Sequence, residues 1–408
     1  LSSLTRIGAF RNVVSERPLV AILAIAAVLR LGVVCWKFEN LSIDTDSYLV
    51  IAKNLLAGQG FCSVPGRPTA FRPPLYPIFV AGCTFFGGTI GLAAMQIVLG
   101  SATCGLAWEF ASRLKLSERA RLLTAGAVAV DPLLLLYTSQ AMTETLVTFL
   151  VTLLLVVAVG APSRRNSVLT GVVFGLAVLC RPSLWAFGAL AAGLFLIQAL
   201  RQKMESPSRR ETLCRGILVT IAVVITVAPW AIRNATVFGR PIVMTTHGGY
   251  TLLLANNPVF YEQVVYRGQL WSAASLEEWQ AHVDQVISDQ GISKTDELAR
   301  DAAMREMALH HIRRQPGWFA RSCLTRLLRF WSPRPQAGTF GWPVRLSVTA
   351  LYLSVFSLLV IGLVRIRRIN QDVCSAVLLI VSLTCVHMVF WSNARMRAPV
   401  TVAVASIA

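Results

Sequence analysis

The chain has 408 residues, of which 55% are hydrophobic and only 14% charged, with a net charge of +18. That charge content is well below the roughly 25% usual for a soluble domain, and several apolar runs reach the ~20 residues that cross a bilayer as helix. The excess of positive charge sits in short clusters between those runs, the pattern of cytoplasmic anchoring, which argues against nucleic acid as a partner.

In chain order, residues 1–17 carry Arg6, Arg11 and Arg17 with little acid and read as a cytoplasmic start. The first apolar run, 18–36, has no small-residue cleavage site after it and reads as an uncleaved signal anchor. A polar outside loop, 37–73, contains Asp44-Thr-Asp-Ser-Tyr48. There a surface helix is predicted from an Asp44 N-cap to a stop at Gly58. Tyr48, Ile51, Ala52 and Leu55 form its apolar face at i, i+3, i+4 and i+7. After Arg72-Pro-Pro-Leu-Tyr-Pro77, the run 75–86 is too short to span and predicts a second surface or re-entrant helix.

Further spans are predicted near 89–111, 122–138, 142–160, 167–181, 183–200 and 212–232. Others follow at 344–364, 373–391 and from 400 onward. Every short loop assigned to the inside is basic. Arg113, Lys115, Arg119 and Arg121 mark one, and Arg164 and Arg165 another. The loop 201–215 sets Arg201, Lys203, Arg209, Arg210 and Arg215 against Glu205 and Glu211, and Arg365, Arg367 and Arg368 mark the last. The segment 233–340 is a large, mostly helical outside region. The expected architecture is therefore an all-α polytopic membrane protein with about ten transmembrane helices, forming a single unit over residues 1–408. The chain starts at Leu1 and stops inside an apolar run at Ala408, which reads as a fragment or an unusual start, with a further C-terminal part expected.

With this topology, the groups able to do chemistry fall on one face. Asp44 and Asp46 are carboxylates at a membrane surface, each suited either to accept a proton or to cap and charge a helix N-terminus. Glu144, at the outer end of a span, is costly unless wet or paired. Arg72 precedes the Pro-Pro break, and Arg181, Arg233, Arg395 and Arg397 stand at outer span ends beside Pro or Asn. Forked arginines suit a phosphate, while snorkelling is their ordinary use. Tyr48, His247 (in His247-Gly-Gly-Tyr250) and Asn256 (in Asn256-Asn-Pro258) are candidate substrate contacts, in segments that would equally make turns. Asp131, before Pro132, lies deeper and pairs with an interior arginine or supports a broken helix. The nine cysteines are scattered, without metal-ligand spacing. The sequence demands no metal site and leaves a divalent ion open.

These residues together resemble the dolichyl-phosphate-mannose–protein mannosyltransferase-like family, polytopic glycosyltransferases of the C superfold that include lipid A aminoarabinose transferases. The resemblance rests on Asp44-x-x-x-Tyr48 with Ala52 and Leu55, Gly58-x-Gly60-Phe61, Arg72-Pro-Pro-Leu-Tyr-Pro77 and Thr143-Glu144. It continues through Arg181-Pro182, Pro229-Trp230-x-x-Arg233-Asn234, Phe238-Gly239, Asn256-Asn257-Pro258 and Ala394-Arg395-x-Arg397-x-Pro399. It implies sugar transfer with inversion from a polyprenyl-phosphate-linked donor, on the extracytoplasmic face of a bacterial inner membrane. The acceptor would be a glycan, a lipid or a protein, and membrane lipids would surround the chain. By register with Tyr48 the presumed base is Asp44. Relatives often carry a second acid directly after it, where this chain has Thr45, with Asp46 one further on. The competing function is a transporter or flippase of a lipid-linked or anionic substrate. Such a protein wants charged or broken positions at the bilayer midplane rather than at one face.

Overall fold

The computed structural model describes residues 2–201, 207–269, 271–335, 340–365 and 371–408. Lys203, Glu205, Arg367 and Arg368 lie outside the described residues. Within them the fold is nearly all-α, with one small hairpin.

Helix α1 runs Ser2–Trp36, and a 3-10 turn at Phe38–Ser42 leads into the first loop. There α2 is Tyr48–Leu56, and β1 (Cys62–Val64) pairs antiparallel with β2 (Arg67–Pro68). Helix α2 begins three residues later than its sequence suggests, because Ser47 sits in the left-handed region with φ of 63° and ends the preceding turn. Its buried face is the predicted one, with Tyr48, Ile51 and Ala52 inward and Leu55 packed beside them. Gly58 takes φ of +72° just beyond its end.

Helix α3, Leu75–Arg113, is broken at Gly87 and Gly88, where Gly88 has φ of 57° and ψ of −148°. The short run 75–86 is thus a helix of its own, turned away from the longer apolar one at a residue type that tolerates such angles. Helices α4 (Glu118–Val130) and α5 (Pro132–Thr138) meet at a 47° bend. Asp131 explains the bend. Its Oδ1 accepts the Leu133 and Leu134 N–H groups at 3.0 and 2.9 Å and the Tyr352 hydroxyl at 3.2 Å, capping α5 as Pro132 ends α4. Arg30 of α1, also fully buried, donates to the carbonyls of Val128 and Ala129 at the open end of α4. Asp131 therefore supports a broken helix.

Then come α6 (Glu144–Ala158), α7 (Arg164–Cys180), α8 (Trp185–Arg201) and α9 (Pro207–Phe238). Helices α7 and α9 approach closely because Gly171 and Gly175 form a small-xxx-small stripe. A Cβ on Gly171 would strike the Val219 carbonyl, and one on Gly175 would press on Thr226.

The segment after α9 folds as α10 (Gly248–Ala255), α11 (Pro258–Phe260), a π-helical turn to Tyr266, α12 (Ala273–Asp289), α13 (Glu297–Arg314) and α14 (Pro316–Phe330). It has its own core of Leu252, Leu253, Trp279, Val283, Ile287 and Met304. The chain finishes with α15 (Trp342–Arg365), α16 (Gln371–Val389), a 3-10 segment at Ala394–Val400 and α17 (Thr401–Ile407).

Among the described residues, five helices are long and apolar enough to cross a membrane, or six if the bent α4–α5 pair is one span. The sequence expectation of about ten spans is not reached by this measure. Helix α6 has only 15 residues, because its N-terminus is set back by the turn before Glu144, and α7 has only 17. Outward-facing Val20, Val28, Phe85, Phe86, Ile217, Ile225 and Val364 remain exposed, as a lipid-facing surface requires. The chain is an integral membrane protein.

Candidate active site

Two helix ends, one 3-10 segment and two connecting stretches bring five charged side chains together. Glu144 is the first residue of α6, where the helix dipole favours a carboxylate, and Arg181 caps the C-terminus of α7, where it favours a cation. Arg395 is held in the 3-10 segment, whose first turn is fixed by the Asn393 side chain on the Arg395 N–H. Asp46 comes from the turn before α2, and Arg72 from the coil before α3.

Asp46 is the hinge of the group. Arg72 Nη2 lies 3.0 Å from its Oδ1, and Arg395 Nη1 lies 3.3 Å from its Oδ2. Arg395 then reaches Glu144 through Nε at 3.3 Å, and Arg181 Nη2 stands 3.6 Å from the same carboxylate oxygen. Burial pushes the Asp46 carboxyl up, but Arg72 and Arg395 outweigh it and hold the group below the ordinary carboxylate range. Arg395 is likewise opposed by burial and held firmly charged by Glu144 and Asp46.

Three guanidinium groups against two carboxylates leave one formal positive charge in a buried place. Several buried polar atoms there make no hydrogen bond among the described residues, among them Arg72 Nε, Arg181 Nη1 and Oε2 of Glu144, which is 1% exposed. Buried polar atoms are normally hydrogen-bonded, so unused donors grouped around three arginines make a receptor for a polar, anionic ligand.

His247 joins the group from the start of α10. Its Nε2 lies 3.4 Å from Arg72 Nη1, and its ring stacks on Tyr250 and meets Phe71 edge-on. Burial, reinforced by Arg72, lowers its pKa to about 3, so the ring is neutral. Tyr48 packs against Tyr76 and lies under the Arg72 guanidinium. Burial raises the Tyr48 pKa well above its usual value, so the phenol stays protonated.

Asp44 stands differently. It is exposed, and its two oxygens accept the N–H groups of Leu49 and Val50 at 3.1 and 2.8 Å. It therefore caps the first turn of α2, two residues from Asp46, and no arginine pairs with it among the described residues.

Three residues expected at the site lie elsewhere. Arg233 donates to the carbonyls of Thr69 and Phe61 at 2.8 and 2.9 Å and packs on the rings of Phe61, Trp230 and Phe238, clamping the first loop onto α9. Arg397 donates to the Phe330 and Ser332 carbonyls and covers the Tyr352 and Phe356 rings. Asn256, fully buried, donates to the carbonyls of Leu252 and Val389 and accepts from Arg326. All three are held by folding contacts. Their residue types looked right at the sequence level because a span end needs such groups for carbonyls as much as for ligands.

Glu297 carries no signal that sequence reasoning could find. Its carboxylate accepts the Thr69 hydroxyl at 2.6 Å, the Ala70 N–H at 2.8 Å and the Thr246 hydroxyl, tying α13 to the first loop. Beside it lies a cavity of about 220 Å³ between the hairpin, α10 and α13. No three His, Cys, Asp or Glu side chains that could hold a metal come together among the described residues. Both buried carboxylates of the site are engaged by arginines, a donor set that does not fit a divalent cation.

The fold defines a polytopic, nearly all-α membrane protein with a charged cluster gathered at its helix ends. More particularly, residues 72–230 match the family model described as dolichyl-phosphate-mannose-protein mannosyltransferase. Among solved structures the chain is similar to the archaeal oligosaccharyltransferase AglB from Archaeoglobus fulgidus in complex with an inhibitory peptide and a dolichol-phosphate. That match has a TM-score of 0.51 at 12% identity, over 96% of this chain and 50% of that one. The apo form of the Archaeoglobus fulgidus oligosaccharyltransferase matches with a TM-score of 0.52 at 14% identity, over 95% of this chain and 50% of that one. The chain thus spans about half the length of these structures, and at such identity the likeness is one of fold. Comparison with curated proteins gives no significant match.

Proposed function

We propose that the protein transfers a sugar from a polyprenyl-phosphate-linked donor to an acceptor hydroxyl or amine on the extracytoplasmic face of the membrane. The observation that carries this reading is the partly buried network of Arg72, Arg181 and Arg395 around Asp46 and Glu144. A glycosyl phosphodiester has one negative charge, and its departing phosphate gains a second as the bond to the anomeric carbon breaks. A pre-formed site with one surplus positive charge and unused guanidinium donors interacts more strongly with that leaving group than with the donor at rest, which is the condition for catalysis.

In the proposed step the acceptor atom attacks the anomeric carbon from the face opposite the phosphate. The carbon–oxygen bond to phosphate breaks, polyprenyl phosphate leaves with the electron pair, and the acceptor's proton passes to a carboxylate. A single displacement inverts the anomeric centre. Of the three candidate acids, Asp46 is held ionised by two arginines and Glu144 is buried between two more contacts. Both are suited to positioning the arginines. Asp44 is exposed, with lone pairs left over after its two backbone bonds, and is the group able to take a proton from an incoming acceptor. Tyr48 and neutral His247 line the network and orient Arg72.

A transporter would place its charged and broken positions at a midplane passage. Here the break at Asp131 is closed by its own capping bonds. The space beside it is about 30 Å³, the share of one water.

The test is Asp44→Asn in a transfer assay with polyprenyl-phosphate sugars. The reading requires loss of transfer with lipid-donor binding and membrane insertion kept. Full activity in that variant would remove Asp44 from the mechanism.

A further inference from the structure

The 220 Å³ cavity beside Glu297 differs from the charge network in one respect that points to a ligand. Its acids are engaged by the fold. Glu297 is held by Thr69, Ala70 and Thr246, and Asp301 accepts the Gly249 N–H at 2.6 Å while pairing with Arg305 at 3.3 Å. Its cations are not. Arg67 and Lys294 have no hydrogen-bond or ion-pair partner among the described residues. Arg300, which pairs with Asp284, keeps a buried Nη1 with no acceptor. Two aromatic side chains, Phe71 and Tyr250, complete the wall.

Those rings also fix where the cavity lies. Phe71 and Tyr250 both pack on His247, and Phe71 lies under the Arg72 guanidinium at 5.1 Å. The cavity is therefore one layer of side chains from the Asp46–Arg72 ion pair. Its wall comes from the hairpin of the first loop, α10 and α13, and includes no residue of the long apolar helices. A lipid tail has no place there, whereas a polar acceptor approaching from water does.

We propose that this cavity is the acceptor-recognition subsite, and that it takes one sugar ring carrying an acidic group. The inference rests on the transfer reading above and narrows it to an anionic, hydroxyl-rich acceptor. The volume suits a single ring. The aromatic pair offers faces to its C–H groups, and Arg67, Lys294 and Arg300 Nη1 supply donors to a carboxylate or phosphate. The hydroxyls of Tyr250 and Thr246 add neutral hydrogen-bonding groups. Hydrogen bonds hold the acids of the wall in place, and among its charged side chains three cations stand against two acids.

The experiment measures binding, not transfer. The purified full chain in detergent, without lipid donor, is titrated with methyl β-D-glucuronide, glucose 6-phosphate and methyl β-D-glucoside, followed by saturation-transfer difference NMR. At least one of the two anionic rings should bind saturably, tenfold or more tighter than the neutral glucoside. The double variant Arg67→Ala/Lys294→Ala, altered only at exposed positions, should weaken that binding at least tenfold. Glu144→Gln, which acts on the leaving-phosphate site, should leave it unchanged. Equal binding of charged and neutral rings, binding indifferent to the double variant, or no binding of any ring overturns the subsite. Transfer activity with no preference for anionic rings would sink this inference and leave the proposed reaction standing. Anionic-ring binding in a protein that transfers nothing would do the reverse.

Discussion

Replacing Arg395 with alanine tests the charge network at its centre. The guanidinium bridges Asp46 and Glu144 at 3.3 Å each. Without it, Glu144, whose side chain is 1% exposed, keeps only Arg181 at 3.6 Å. Leaving a buried carboxylate short of its partner costs about 3–5 kcal/mol. Asp46 is 18% exposed and retains Arg72 at 3.0 Å, so its share is small. Arg395→Ala should therefore lose roughly 4 kcal/mol at neutral pH, measured by SDS-induced unfolding in mixed micelles. Glu144→Gln removes the stranded charge, so the double variant Arg395→Ala/Glu144→Gln should lose about 2 kcal/mol less than the sum of the two single losses. Transfer should fall by a factor of about 10²–10³ in kcat, the usual effect of removing one charge-stabilising donor. Losses that add to within about 0.5 kcal/mol would refute the claim that Arg395 and Glu144 act as a pair.

Two further predictions follow from residues around the network. Arg233→Met should cost about 3 kcal/mol through its two carbonyl bonds and leave the KM for lipid donor unchanged. A tenfold rise in KM with no loss of stability would return Arg233 to the phosphate site. His247 stays neutral in the folded protein down to about pH 3, while the unfolded residue titrates at 6.5. Between those values the unfolded state binds the extra proton, so stability rises with pH and falls on acidification, by up to about 1.4 kcal/mol per pH unit. His247→Gln should flatten that limb of an unfolding-versus-pH profile. An unchanged slope would show that another group carries it.

The sequence made the all-helical membrane class plain because apolar run length is a local property. It also identified the buried face of α2, since Tyr48, Ile51 and Ala52 follow a helical period. It pointed to Glu144, Arg181 and Arg395, because a charge at a span end is expensive wherever it lies. The sorting of arginines was not legible. Whether Arg233 or Arg181 faces a ligand depends on which carbonyls lie within reach, and the Phe61 and Thr69 carbonyls that hold Arg233 are more than 160 residues away in the chain. Glu297 was hidden for the same reason, as its partners at Thr69, Ala70 and Thr246 are remote in sequence. The count of about ten spans is not confirmed, because helices such as Glu144–Ala158 and Val373–Val389 are apolar but shorter than a full crossing.

The central claim is tested most directly by incubating the purified protein with polyprenyl-phosphate sugars of known anomeric configuration and a panel of acceptors. The account predicts release of polyprenyl phosphate matched one for one by a product of inverted configuration. It further predicts that both are lost in Arg395→Ala. Transfer with retention, or transfer that survives the loss of Arg395 undiminished, would contradict it.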